Sequence, residues 1–154
     1  MAITEQRLKQ LGLELPVPAA PVGSFVPFVR SGDLLYVSGQ IPIRGDGSVV
    51  TGQVGNGVSV EQAQAAARLC GLSLVGVAQA ALGSLDDVVQ VVRIGGFVNA
   101  VSGFTQQPRV VDGASELMIE IWGERGRHAR AAVGVASLPA GASVEVDAIF
   151  EVRS

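Results

Sequence analysis

Residues 130–152 read RAAVGVASLPAGASVEVDAIFEV, and this stretch decides the fold. Two alternating, β-prone runs flank Leu138-Pro139-Ala140-Gly141, a segment that no regular element runs through. Because successive strand side chains face opposite sides, the first run places Arg130 over three small residues, Ala132, Gly134 and Ala136. The second run places the charged Glu145 within a strand, opposite an apolar face. The pattern predicts a surface of small side chains with open space above it and two opposite charges near its edge, which suits a small ligand.

Two separated motifs in this sequence resemble the YjgF/RidA (reactive imine deaminase) family. The first is the Arg that opens a Val-Gly-Val strand, followed by Leu-Pro and by Val-Glu-Val-x-Ala-Ile. The second is residues 35–42, LYVSGQIP, which resemble the N-terminal signature of the family. The likeness covers about residues 20–152. It implies a chorismate-mutase-like α+β fold and a homotrimer with clefts between its subunits.

Length and composition bound the domain organisation. At 154 residues the chain is expected to form one domain, 1–154, with an N-terminal extension, 1–20, that carries a short helix. Charged residues make up only 16% against a usual quarter, while 48% are apolar. An Ala- and Gly-rich composition would explain this bias, and so would a surface buried against copies of the chain. We favour the second explanation.

Charge and cysteine content exclude several classes of protein. A net charge of −3 and a pI near 5.1 argue against a nucleic-acid partner. The single Cys70 fits a reducing compartment, and its place in an apolar helical stripe predicts a buried thiol. The apolar segment 69–82 is interrupted by polar residues and glycine, so we expect no membrane span, and the N-terminus does not resemble a signal peptide. A cytoplasmic location is expected.

The remaining patterns predict an α+β sandwich with two helices on one face of a mixed sheet. A hairpin of strands 25–30 and 34–39 comes first, and residues 48–51 are a candidate for a short strand. A helix follows from Ser59 to about Leu82, opened by a Ser59–Gln62 capping box. The apolar run 88–99 predicts a strand covered on both faces, with a bulge or a close backbone approach at Gly95-Gly96. A second helix, capped near Thr105, is expected to end at Gly123.

Candidate chemistry centres on Arg130, because phosphate-binding, dinucleotide-binding and serine-hydrolase motifs are absent. One His and one Cys argue against an all-protein zinc site, and no metal or cofactor is expected. A guanidinium can hold a carboxylate through two parallel hydrogen bonds. The alternative is that Arg130 is a structural ion-pair partner of Glu145 or Asp147.

The resemblance implies roles for individual residues. Arg130 matches the carboxylate-binding arginine of the family, and Glu145 matches the acidic residue that holds the attacking water. Ser38 and Gly39 match the stretch that lines the cleft. Three substrate-binding positions depart from the common pattern, with Phe25 for a Tyr, Ser102 for an Asn and Ala132 for a Cys.

His128 lies two residues before Arg130 and is the only histidine. It is either a proton carrier beside the substrate or a loop residue without a catalytic role.

The resemblance implies hydrolysis of a 2-imino or 2-enamino acid to a 2-oxo acid and ammonia. The alternative is a non-catalytic trimer that binds a small carboxylate-bearing metabolite. A ribonuclease role is disfavoured by the acidic pI.

Overall fold

The computed structural model describes residues 2–154, which contain three α-helices and seven strands. The helices are α1 (Ile3–Gln10), α2 (Val60–Leu82) and α3 (Gln107–Trp122). The strands are β1 (Phe28–Ser31), β2 (Leu34–Gln40), β3 (Gln53–Val54), β4 (Gly57–Val58), β5 (Val88–Asn99), β6 (Ala129–Val135) and β7 (Val144–Val152). Short 3-10 turns lie at Leu85–Asp87, Gly123–Gly126 and Pro139–Gly141.

Five of the strands form one mixed sheet in the order β1-β2-β7-β5-β6. Neighbouring strands are antiparallel except β5 and β6, which run parallel. Helices α2 and α3 cover one face of this sheet, and the apolar core lies between them and the strands. The prediction of a mixed α+β fold with two helices on one face is therefore confirmed.

Local sequence explains why α2 begins and ends where it does. The Ser59 side chain accepts from the Gln62 amide and the Gln62 side chain accepts from the Ser59 amide, which confirms the capping box. Gly83 ends the helix with φ 80°, a conformation that favours glycine. By length and composition α2 could cross a membrane, yet 56% of its apolar 18-residue segment is buried inside this fold. That burial is typical of a core helix.

Several predicted boundaries and features were wrong. Strand β1 begins at Phe28 rather than at residue 25, because the preceding Pro27 has no amide hydrogen for a ladder. Residues 48–51 contribute only isolated bridges. The cap of α3 is Gln106, next to the Thr105 near which it was expected, and it makes no side-chain hydrogen bond. The register of β5 shifts between residues 88 and 93, not at Gly95-Gly96.

The other alternative predicted at Gly95-Gly96, a close approach to the backbone, is confirmed, and it occurs on both sides of the sheet. A Cβ at Gly96 would collide with Val111 of α3, and one at Gly95 would collide with the Asp147 carboxylate. Strand β5 was also predicted to be covered on both faces. Only the face toward the helices is covered within one chain, which leaves Val89 and Arg93 exposed.

Candidate functional site

Arg130 lies on the helix-covered face of the sheet, on its edge strand β6. In the β5–β6 register Arg130 is opposite Ile94, and in the β5–β7 register Ile94 is opposite Ala148. Ile94 and Ala148 are both buried under the helices. Because paired residues share a face of a sheet, the guanidinium reaches toward α3 from the outermost strand.

The Arg130 guanidinium is held by three acceptors from α3. Its Nη1 donates to Asp112 Oδ1 at 2.7 Å and to Ser115 Oγ at 3.1 Å, while Nη2 donates to the Pro108 carbonyl at 3.3 Å. The Arg130 side chain is 22% exposed and that of Asp112 is 42% exposed. Arginine has five N–H hydrogens, so Nε and one Nη2 hydrogen have no acceptor within residues 2–154. These two hydrogens are available to a ligand.

His128 joins the same cluster through Ser115. Its Nε2 lies 2.8 Å from Ser115 Oγ, and its Nδ1 lies 2.7 Å from the Gly126 carbonyl oxygen. Burial, together with the nearby positive charge of Arg130, lowers the pKa of His128 below 6.5 although the Gly126 hydrogen bond opposes this. Both ring nitrogens of His128 therefore have hydrogen-bond partners within the chain. His128 also lines the cavity described below, and its hydrogen-bonded path toward Arg130 runs through Ser115.

A cavity of about 190 Å³ opens over this cluster. Its lining residues are Ser115, Ile119, Arg127, His128 and Arg130. Two arginines and a serine line this concave surface, a composition that favours a small anion.

Glu145 lies on the opposite, uncovered face of the sheet. It is paired with Phe97, which is paired with Val133, and Val133 is 46% exposed on that face. Partial burial, and then the neighbouring carboxylate of Asp147, raise the pKa of Glu145 above 4.5. No hydrogen bond to the Glu145 carboxylate is found within residues 2–154. A carboxylate without a partner and with a raised pKa is suited to accept a proton.

The N-terminal motif meets Glu145 on this face. Ser38 and Gly39 lie where the β2–β7 register shifts, which indicates a bulge. A Cβ at Gly39 would come 2.6 Å from Glu145 Oε2, so glycine is needed for the carboxylate to lie against the backbone. The Ser38 hydroxyl donates to the Val26 carbonyl at 2.7 Å, which ties the lead-in segment to β2.

The other three predicted binding residues lie in separate places. Phe25 is 52% exposed, just before β1, on the edge of the sheet opposite β6. Four strand spacings separate β1 from β6, about 19 Å. Ser102 and Gly134 line a second cavity, of about 380 Å³. Gly134 is about 13 Å from Arg130 along β6. Ala132 is half-buried and packs against the core, on the same face as Arg130.

The structure thus corrects the expectation of two opposite charges near one edge. Arg130 and Glu145 are on opposite faces of the sheet, with β5 inserted between the strands that carry them. The Arg130 partner is Asp112, not Glu145 or Asp147 as the structural alternative proposed. Asp147 pairs with Arg93 instead, at 3.8 Å.

Asp112 and Ser115 are the residues that sequence reasoning missed. Both belong to α3, three positions apart and therefore on one helix face. The available signal was a pair of polar side chains bordering an otherwise apolar stripe. Within residues 2–154 no group of three or more His, Cys, Asp or Glu side chains is arranged to hold a metal ion.

A family model matches this chain over residues 5–150, under the description "YjgF/chorismate_mutase-like, putative endoribonuclease". The chain belongs to the YjgF/RidA family. The match includes both predicted motifs and all the residues of the two clusters described above.

Individual relatives agree with this assignment. Protein TCP17 of Trypanosoma cruzi is 51% identical over 148 residues, 96% of this chain and 92% of its own. A solved structure from Shewanella oneidensis MR-1, which carries the same endoribonuclease description, is 34% identical with a TM-score of 0.94, covering 98% of this chain and 100% of its own. RidA from an Antarctic Psychrobacter is 28% identical with a TM-score of 0.61, covering 88% and 94%.

Proposed function

We propose that this protein is a RidA-like deaminase that hydrolyses a 2-imino or 2-enamino acid to a 2-oxo acid and ammonia. The observation that carries the proposal is Arg130, a mostly buried guanidinium with two unused hydrogens at the wall of a small cavity. A carboxylate is the ligand whose two oxygens match such a pair of donors.

The attacking water would be activated by Glu145. Its raised pKa makes the carboxylate a better base than a solvated glutamate, and the carboxylate lies against the Gly39 backbone at the bulge of β2. An imine carbon is already electrophilic, so the reaction as proposed uses no cofactor.

A single chain cannot present both groups to one substrate, because they lie on opposite faces of its sheet. The proposal therefore includes a homotrimer, in which the uncovered face of one subunit meets the β6 edge of the next. Arg130 would then come from one subunit and Glu145, Ser38 and Gly39 from its neighbour. A cytoplasmic location is part of the same proposal.

A non-catalytic binding trimer is the second candidate. It is favoured by Asp112, which already neutralises part of the Arg130 charge, and by the apolar side chains of Phe25 and Ala132. Such a protein would bind a small carboxylate reversibly and release it unchanged.

Turnover of imines separates the two candidates. Imines generated in situ from several amino acids by an amino-acid oxidase would be offered to the purified protein, and release of the 2-oxo acid measured against a protein-free control. Catalysed release that saturates with imine supports the deaminase, whereas saturable binding of pyruvate without catalysed release supports the binding protein. Light scattering on the same sample should give the mass of three chains, and a monomer mass at micromolar concentration would contradict the shared cleft.

A further inference from the structure

The neighbours of His128 fix where its hydrogen lies. A carbonyl oxygen can only accept, so the Gly126 contact at 2.7 Å places the hydrogen of the neutral ring on Nδ1. The lone pair is then on Nε2, and the Ser115 hydroxyl 2.8 Å away must donate to it. A lone pair of Ser115 Oγ accepts in turn from Arg130 Nη1 at 3.1 Å. These contacts form one continuous chain that ends at the cavity wall.

The charged groups around His128 are two arginines, each paired with a carboxylate. Arg130 on β6 and Arg127 in the preceding turn line the same cavity. Asp112 on α3 lies beyond Arg130 and pairs with it, and Glu124 pairs with Arg127 at 3.1 Å. With no ligand present, burial of the ring and the positive charge of Arg130 hold the pKa of His128 below its usual value, so the neutral form is the stable one at pH 7.

We infer that Ser115 and His128 form a proton-transfer path that delivers a proton to the nitrogen of a substrate whose carboxylate is held by Arg130. The inference rests on the proposed function, since it requires a carboxylate at the Arg130 cavity. It assigns a chemical task to Ser115 and explains why the chain places its only histidine one hydrogen bond behind that hydroxyl.

Binding of the ligand favours protonation of the His128 ring. A carboxylate on Arg130 offsets the positive charge that opposes protonation of His128, so the imidazole takes up a proton from solvent on Nε2. Nε2 then donates to Ser115 Oγ, and the Ser115 hydroxyl hydrogen is free to turn toward the ligand.

The transfer itself is balanced in atoms and charge. Ser115 gives its hydroxyl proton to the imine nitrogen while Oγ receives the Nε2 proton of His128. The imine becomes an iminium ion with its C=N electron pair drawn toward nitrogen, which makes the carbon more open to water. His128 is left neutral and recovers a proton from solvent before the next turnover.

The path can be tested directly, because the chain has one histidine and its ring signals need no assignment among several. NMR titration of the His128 ring in the intact protein would be done without ligand and with saturating pyruvate as the probe. We expect the Nδ1–H tautomer in the free protein, and a rise in the His128 pKa of about one unit when pyruvate is bound. Arg130→Ala should abolish both pyruvate binding and the rise.

Variants of the hydroxyl separate proton transfer from support of the fold. Ser115→Ala should still bind pyruvate and still show the His128 pKa rise, while kcat for imine hydrolysis falls about 10²-fold with KM little changed. Ser115→Thr, which keeps the hydroxyl, should recover most of that loss. Glu116→Gln, at the next and exposed position of α3, is the matched control and should behave as wild type.

The outcomes distinguish the path from the proposed function. If pyruvate binds at Arg130 but the His128 pKa does not move, or if Ser115→Ala retains wild-type kcat, the path is wrong and the deaminase proposal stands. If pyruvate does not bind and imines are not turned over, the carboxylate site fails and the path fails with it.

Discussion

At the scale of the residue, Arg130 has two possible tasks, a carboxylate clamp or the structural partner of Asp112. If it is a clamp, Arg130→Ala removes two charge-assisted hydrogen bonds, each worth roughly 1.5–3 kcal/mol. Since 1.36 kcal/mol is tenfold, kcat/KM should fall about 10² to 10⁴-fold. Arg130→Lys keeps the charge but loses the planar fork, so it should recover only part of the loss. Steady-state kinetics on imines measures both.

Asp112→Asn is the matched control for that experiment. It keeps an acceptor for Nη1 and removes the competing negative charge, so a clamp should bind carboxylates more tightly, with KM lower by about two- to tenfold. A purely structural pair predicts a lower Tm for both Arg130→Ala and Asp112→Asn with unchanged activity per folded molecule. A folded Arg130→Ala protein with wild-type turnover would rule out the clamp.

Replacing the Glu145 carboxylate should raise the stability of the protein and abolish its activity. Its pKa is raised by burial above that of a free glutamate, about 4.3. Between the unfolded and folded pKa values the native state binds more protons, so this carboxylate lowers stability as pH rises through that window. Glu145→Gln should therefore raise Tm at pH 7, match wild type below about pH 4, and lose imine turnover. Thermal unfolding at both pH values checks the sign, and a Tm that drops at pH 7 would contradict it.

At the scale of the element, the contact between α2 and α3 depends on the backbone at Gly113. A Cβ there would collide with the Gln64 carbonyl oxygen and come 3.2 Å from the Arg68 amide nitrogen. Alanine is the better helix former by about 1 kcal/mol, yet overpacking against backbone costs about 1–3 kcal/mol. Gly113→Ala should therefore destabilise the protein in urea unfolding. Gly71→Ala, which meets the flexible Leu117 side chain instead, should cost less.

Elements were predictable from sequence wherever local chemistry defines them. The Ser59–Gln62 box and Gly83 gave the bounds of α2, and strict alternation gave the faces of β6 and β7. Strand order was not predictable, because β5 enters between two strands that are neighbours in sequence. For that reason Arg130 and Glu145 were expected near one edge. Ser115 was missed because its role depends on which face of α3 meets β6.

At the scale of the whole molecule, the endoribonuclease description of some relatives leads to a test of RNA binding. The chain carries 11 Lys and Arg against 14 Asp and Glu, and within residues 2–154 five of the arginines pair with carboxylates. Phosphate contacts need free cations. We expect no sub-micromolar binding of single-stranded RNA at physiological salt. Tight binding with a steep salt dependence, measured by fluorescence anisotropy, would overturn this expectation.

Subunit complementation tests the shared cleft most directly. Arg130→Ala and Glu145→Gln should each be inactive alone, since each removes one side of every cleft. In a trimer mixed at random from equal amounts, each cleft draws Arg130 from one chain and Glu145 from the next. About a quarter of the clefts then contain both native residues, because each is native with a chance of about one half. Co-expression should therefore restore about a quarter of wild-type turnover in the unsorted mixture. Trimers purified through two different affinity tags should show about a third, because each mixed trimer has one complete cleft out of about three. If both residues acted within one chain, every cleft of the mixture would lack one of them, and mixed trimers would stay as inactive as either parent.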